Sequence, residues 1–383
     1  MSVTSAKGFQ AAGVAAGLKP SGDPDVALVR NTGPLDAAAG VFTGNRIKAA
    51  PVLWTQQVLK AGRLTAVVLN SGGANACTGP QGFQDTHATA ERVAERLGIG
   101  AGDVAVCSTG VIGERLPMHA LLNGVDAAAR ELGDDELNNA AKAICTTDTH
   151  AKTTVVSGEG FTLGGMVKGA GMLAPALATM LCVLTTDAVA DADTLDTALR
   201  AATKATFDRI DSDGCMSTND TVLLLASGAS GTRPTVDELT HAVQAACADL
   251  ARQLIGDAEG ASKEIAITIT GAHTEDEAVT VARSIARNNL LMCALFGNDP
   301  YWGRVLAAIG TTDATFDPDR IDVSFNGVPV CVNSAANPGE TAVDISARNL
   351  ALDVDLHAGE HTATVHTNDL TLAYVHENSA YTS

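Results

Sequence analysis

Residues Met166 to Thr186 read Met-Val-Lys-Gly-Ala-Gly-Met-Leu-Ala-Pro-Ala-Leu-Ala-Thr-Met-Leu-Cys-Val-Leu-Thr-Thr. A glycine-rich segment with one cation, Lys168, leads through small apolar residues to Thr179, and Met180 to Leu184 reads as a buried strand. A lone threonine where an apolar strand begins suits a hydroxyl that attacks the carbonyl of the preceding residue, Ala178. The peptide bond becomes an ester and hydrolyses, and Thr179 then starts a new chain. Its freed α-amine, with a reference pKa of about 7.7–8.0, can serve as the base for its own hydroxyl. In a plainer reading, Gly164, Gly165, Gly169 and Gly171 form ordinary turns and Thr179 is a β-branched residue starting a strand.

Working outward, short apolar strands alternate with helical patterns. Leu64 to Asn70, Val104 to Ser108, Thr221 to Ala226 and Glu264 to Thr270 read as strands, and Thr86 to Leu97, Met118 to Leu132, Thr194 to Phe207 and Val236 to Ile255 as helices. The alternation predicts an α/β fold with helices covering sheets, without fixing whether the strands are parallel. From Thr315 onward short β-like runs dominate, including Arg320 to Val332 and His361 to His366, so a change of character is expected near residue 310. Ala335 to Glu340, centred on Asn-Pro-Gly, is the nearest thing to a linker.

Composition sets bounds. The 383 residues are 46% apolar and 18% charged, enough for one large core or two. With 25 Lys and Arg against 44 acids, the net charge of −19 argues against a nucleic-acid partner. An acidic substrate would need local cations or backbone N–H groups, and Lys168 in its glycine-rich loop is a candidate. Eight cysteines are widely separated, with no Cys-x-x-Cys pair, and Cys107, Cys182 and Cys331 fall in apolar runs, as small buried hydrophobes of a reducing compartment do. Nine histidines, His150 and His376 among them, form no metal pattern, and no phosphate- or dinucleotide-binding glycine fingerprint follows a strand. No metal and no tightly bound cofactor is expected. Met1 to Pro20 lacks the apolar core of a signal peptide, and no run is long enough to cross a bilayer, so no membrane association and a cytoplasmic location are expected.

Lys168-Gly-Ala-Gly-Met followed by Ala178-Thr179-Met-Leu closely resembles the self-cleavage site of the ornithine acetyltransferase family, the ArgJ family of arginine biosynthesis. The resemblance runs from Gly8-Phe9 to Asn378-Ser-Ala-Tyr. It implies a self-processing enzyme with an N-terminal threonine nucleophile, an α/β fold of the ArgJ/DmpA-like kind, and a smaller C-terminal α+β portion. The implied chains are 1–178 and 179–383, the second divided into a first part, 179–310, and a C-terminal portion, 311–383. By the same resemblance the threonine carries an acetyl group from N-acetylornithine to glutamate, and two copies of each chain form an α2β2 heterotetramer. The motifs do not separate members that also accept acetyl-CoA from those that do not.

The remaining motifs supply site residues. The loop Cys107-Ser-Thr-Gly-Val-Ile-Gly113 follows a strand and on its own is an ordinary turn; it resembles the family's oxyanion hole, which carries over to Thr109 and Gly110. Glu259, in Asp257-Ala-Glu-Gly-Ala-Ser-Lys263, corresponds to the glutamate that binds the substrate ammonium, with Ser262 a mild departure from the usual threonine. In Cys145-Thr-Thr-Asp148, Thr146 is favoured over Thr147 as the substrate contact. The closing Tyr374-Val-His-Glu-Asn-Ser-Ala-Tyr-Thr-Ser383 resembles the family tail, which assigns Asn378 and Ser383 to the substrate and predicts a tail tucked into the site. Asn70 to Gly79 and Ser217-Thr-Asn-Asp220 read as loops that help form the pocket, and Gly297-Asn-Asp-Pro-Tyr-Trp-Gly-Arg304 carries Tyr301 where the family has asparagine. Three other readings stay open: a self-processing aminopeptidase or amidase, which would hydrolyse instead of transferring, a non-enzymatic amino-acid-binding protein, which would not require Thr179, and a purely structural role, which predicts neither cleavage nor ligand binding.

Overall fold

The computed structural model describes residues 2–174, 180–337, 339 and 342–380. In chain order, β1 (Phe9–Val14), β2 (Val26–Asn31) and β3 (Ala37–Phe42) precede α1 (Ala50–Val58) and β4 (Ala66–Asn70). Next come α2 (Gly79–Leu97), β5 (Val104–Ser108), α3 (Met118–Glu131), α4 (Asn139–Ala143), β6 (Lys152–Ser157) and β7 (Thr162–Lys168). Then follow β8 (Leu181–Thr186), α5 (Ala192–Ala205), β9 (Thr221–Ala226) and α6 (Val236–Gly256). The last stretch holds β10 (Glu264–Ala272), α7 (Glu275–Ala286), α8 (Asn289–Phe296), α9 (Trp302–Ile309), β11 (Asp322–Phe325), β12 (Val328–Val332), β13 (Ala335–Ala336), β14 (Asn349–Asp355), β15 (His361–Asn368) and α10 (Leu372–Ala380).

Two sheets pack face to face. One has the order β3-β9-β8-β7-β6 and the other β1-β2-β4-β5. Met166, Leu181, Val183, Leu223 and Leu225 of the first interdigitate with Ala27, Val29, Val67 and Leu69 of the second. The outer face of the first sheet, through Leu163, Cys182, Leu184, Val222 and Leu224, is covered by α5 and α6. That of the second, through Leu28, Val68 and Val106, is covered by α2 and α3. This helix–sheet–sheet–helix sandwich explains why β4, β5, β8 and β9 are apolar without alternation: every residue of each is buried, one set against helices and the next against the facing sheet. The fold is α/β with sheets covered by helices, as the alternation predicts.

Helix ends follow local chemistry. Thr235 and Glu238 close a capping box at the start of α6, Asp191 accepts from the Thr194 N–H at the start of α5, and Gly98 ends α2 at φ 68°.

The third sheet, β13-β12-β11-β14-β10-β15, is one-sided. Ile265, Ile267 and Ile269 of β10 alternate with half-exposed residues and pack under α7, α8 and α9. This sheet and its core start at Glu264, earlier than the change of character expected near 310, because β10 pairs with both β14 and β15. Ala335 and Ala336, expected in a linker, instead pair with β12 at the sheet's edge.

Candidate active site

The site forms where strands end. β4 and β5 run parallel and stop together at Asn70 and Ser108, β7 stops at Lys168, and β8 and β9 begin opposite one another at Leu181 and Thr221. The loops leaving these ends line one cleft, which includes Ala74, Thr109, Gly110, Thr146, Thr147, Lys168, Ser217, Asn219, Glu259 and Asn378. The loop readings at Asn70 to Gly79 and Ser217 to Asp220 are therefore met. Ala178 and Thr179, the proposed cut and nucleophile, and Ser383 lie outside the described residues.

Backbone bonds hold the Thr109 turn. The Thr109 N–H donates to Asn70 O at 3.0 Å, and the Gly73 N–H donates to Thr109 O at 3.0 Å. Gly110 sits at φ 133°, and a Cβ there would come within 2.8 Å of Gly73 Cα, so only glycine fits. Asn219 ties the turn to β9, its amide donating to Ala74 O at 2.6 Å and Ser108 O at 2.8 Å.

Lys168, only 2% exposed, donates from Nζ to Thr109 Oγ1 at 3.2 Å, which puts the one cation of the glycine-rich segment on the threonine expected in the oxyanion hole. Burial pushes its pKa below the ordinary lysine value, while Asp148 pulls the other way. Asp148 is buried too, and although burial opposes its ionisation, Lys168 and Lys152 hold its carboxyl down to about 2. Lys152, fully buried, bridges Asp148 at 2.6 Å and Asp257 at 2.5 Å, and Asp148 also accepts the Gly169 N–H at 2.7 Å. Asp148, Lys152 and Asp257 thus lock the Thr146–Thr147 turn, the lysine loop and the Glu259 loop together. Asp148 and Lys152 are four residues apart, but nothing in the sequence links them to Asp257, 105 residues beyond Lys152.

Glu259 is gripped from two sides. Thr147 Oγ1 donates to Oε1 at 2.7 Å and the Asn378 amide donates to Oε2 at 3.0 Å, while the Glu259 N–H donates to Ala170 O at 3.0 Å. A Cβ on Gly171 would fall 2.6 Å from Oε2, so this carboxylate rests directly on the glycine-rich segment. From the tail, Asn378 reaches Glu259; Thr147 supplies the hydroxyl on this carboxylate, and both Thr146, the favoured substrate contact, and Thr147 line the cleft. Beside it a recess of about 540 Å³ shares Thr146, Thr147, Glu259 and Asn378 and reaches Arg348.

Other motif residues stay out of the cleft. Arg304 stacks on the Tyr301 ring at 5.5 Å and donates to Leu290 O at 2.6 Å, so the tyrosine has a packing role. His150 sits half-exposed beside Asp257 at 3.5 Å. Among the described residues, no group of His, Cys, Asp and Glu could hold a metal ion, and no helix is long and apolar enough to cross a membrane. Cys107, Cys182, Cys247 and Cys331 are free and buried, whereas Cys77, Cys215 and Cys293 are free and exposed.

The profile of the ArgJ family matches residues 10–383. The chain is 65% identical over all of its length to the arginine biosynthesis bifunctional protein ArgJ of Streptomyces coelicolor, and 59% identical to that of Thermobifida fusca, in each case over the whole of the relative as well. Among solved structures it is similar to an ornithine acetyltransferase of Mycobacterium tuberculosis complexed with ornithine. That match has 56% identity and a TM-score of 0.43, over 47% of this chain and 96% of that one. A bifunctional ArgJ protein of Bacillus halodurans matches at 35% identity and a TM-score of 0.49, over 51% and 97%.

Proposed function

The chain belongs to the ArgJ family, and from that premise we propose that it is the acetyltransferase of arginine biosynthesis that moves the acetyl group of N2-acetyl-L-ornithine to L-glutamate. The observation that carries this is the grip on Glu259: a carboxylate held by Thr147 and Asn378, in the cleft that contains the Lys168–Thr109 pair, suits an amino acid's ammonium at one end and a developing oxyanion at the other.

The chain cuts itself between Ala178 and Thr179. The Thr179 hydroxyl, deprotonated by its own new α-amine, attacks the acetyl carbonyl while Thr109 and Gly110 stabilise the oxyanion. Thr146, Lys168, Glu259, Asn378 and Ser383 hold the amino acid. Ornithine leaves, an acetyl-threonine remains, and glutamate enters the same pocket to take the acetyl group. Acetyl-CoA is a second donor in this reading, an α2β2 heterotetramer the working assembly and the cytoplasm the location.

Intact mass spectrometry of wild type beside Thr179→Ala tests it. Two wild-type fragments meeting at Ala178/Thr179, an uncut variant and glutamate-dependent ornithine release are the expected results. Acetate release without transfer would favour an amidase, and ligand binding by an uncut wild-type chain an amino-acid-binding protein.

A further inference from the structure

The α-amine that serves acetyl transfer does not exist until the chain is cut, so the cut needs another group to move a proton. In the first step of the cut a bond forms between Thr179 Oγ and the Ala178 carbonyl carbon, the bond from that carbon to the Thr179 nitrogen breaks, and the hydroxyl proton must end on the nitrogen; water then hydrolyses the ester, giving the Ala178 carboxylate and returning the Thr179 hydroxyl. A side chain that lends one proton to the nitrogen and recovers one from the hydroxyl is unchanged at the end.

Asp220 stands beside Met180, the residue that follows Thr179. It is fully buried in the residue before β9, and its Oδ1 accepts the Met180 N–H at 3.2 Å. The Thr221 N–H donates to Met180 O at 3.1 Å, so strand pairing fixes this juxtaposition. Covalent geometry puts the Thr179 nitrogen within about 4 Å of the Met180 nitrogen in any conformation. Asp220 Oδ2 is buried and has no hydrogen-bond partner among the described residues, an arrangement uncommon for a structural carboxyl.

Resting on the self-cleavage reading above, we infer that Asp220 is the proton-transfer residue of chain maturation, with Oδ2 lending its proton to the Thr179 nitrogen as the peptide bond breaks. Burial raises its pKa well above the ordinary carboxylate range, which keeps the proton available. The Met180 N–H, the Ser217 and Thr43 hydroxyls and, least, the Lys168 charge pull the other way, and Lys168 is itself engaged with Thr109.

The test follows the 39.0 kDa full-length chain by time-resolved intact mass spectrometry. Asp220→Asn keeps the shape and cannot transfer the proton, so cutting should slow by about 100-fold or more. Asp220→Ala should slow similarly and be restored at least roughly tenfold, a tenth of that loss, by sodium formate but not by formamide, which fills the same gap without an acid. That comparison is made within one variant and holds even if Asp220→Asn folds poorly. Wild-type-like cutting by Asp220→Asn, or equal rescue by formamide, would overturn the assignment while leaving self-cleavage standing. An uncut wild-type chain would overturn both.

Discussion

At the scale of single residues, the site divides its work between charge held in place and charge that develops. Thr147 and Asn378 orient the Glu259 carboxyl group before any substrate arrives. Thr147→Val removes one charged hydrogen bond, so KM for both amino-acid substrates should rise roughly tenfold with kcat little changed. Thr109→Val removes an oxyanion donor and should instead lower kcat by about 10²–10³. Steady-state kinetics of the two variants tests the split, and equal effects on both constants would refute it. Thr109, Glu259 and Asn378 were legible only through motifs that resemble the family's, since on its own the Thr109 loop reads as an ordinary turn, whereas Lys168 stood out as the one cation of a glycine-rich segment. The Asp148–Lys152–Asp257 network was not legible, because the pairing of Lys152 at a strand start with Asp257 at a distant helix end leaves no periodic or local trace. Asp220 lay inside a polar loop that reads only as a pocket wall.

Among elements, α10 is unusual in burying none of its residues, with Leu372 77% exposed. Its anchor is polar: Thr371 Oγ1 donates to Gly260 O at 2.6 Å, and Asn378 reaches Glu259. Gly260 sits at φ 61°, and a Cβ there would lie 2.3 Å from Tyr374 N. Gly260→Ala should therefore push the tail helix off the site. Activity should fall at least tenfold while the strained φ costs only about 1–2 kcal/mol of stability. Kinetics beside thermal melting tests this, and a variant that loses stability in proportion to activity would show that the helix carries the fold. β5 and β9 have the limits their sequences predict, since an unbroken apolar run between polar loops has one solution. α2 begins at Gly79 and not Thr86, because Pro80 suits a first helical turn while the polar Gln-Gly start shows no apolar stripe. The tail helix gave no signal at all, having no buried face.

At the scale of the whole molecule, the sandwich meets the third sheet near Asp211. Its N–H donates to His366 O at 2.9 Å and its carboxylate pairs with Arg287 at 2.8 Å. Burial outweighs that partner and raises the Asp211 pKa to about 6. An acid shifted upward in the folded state destabilises it when ionised, so the penalty is full above pH 6 and is relieved as pH falls from there toward 3.8, a swing of about 3 kcal/mol. His366, whose pKa burial lowers, acts in the opposite sense over part of that window, so the useful quantity is the difference from Asp211→Asn. Urea titrations should find the variant gaining on wild type as pH rises from 5 to 8, and a gap independent of pH would refute the junction's role.

The bond proposed for cleavage would join β7 to β8, and these strands are hydrogen-bonded neighbours inside the five-stranded sheet, Lys168 opposite Leu181. A chain severed there keeps both halves of an interlocked sheet, yet it loses the tether that brought them together at an effective concentration in the millimolar range. Folding would be unimolecular once, before the cut, and a meeting of two strangers ever after. After urea, the cut enzyme should regain less activity the more it is diluted, while uncut Thr179→Ala regains its native spectrum at any concentration. The mature protein would thus have an age, a history that its final shape does not reveal and that it cannot repeat alone.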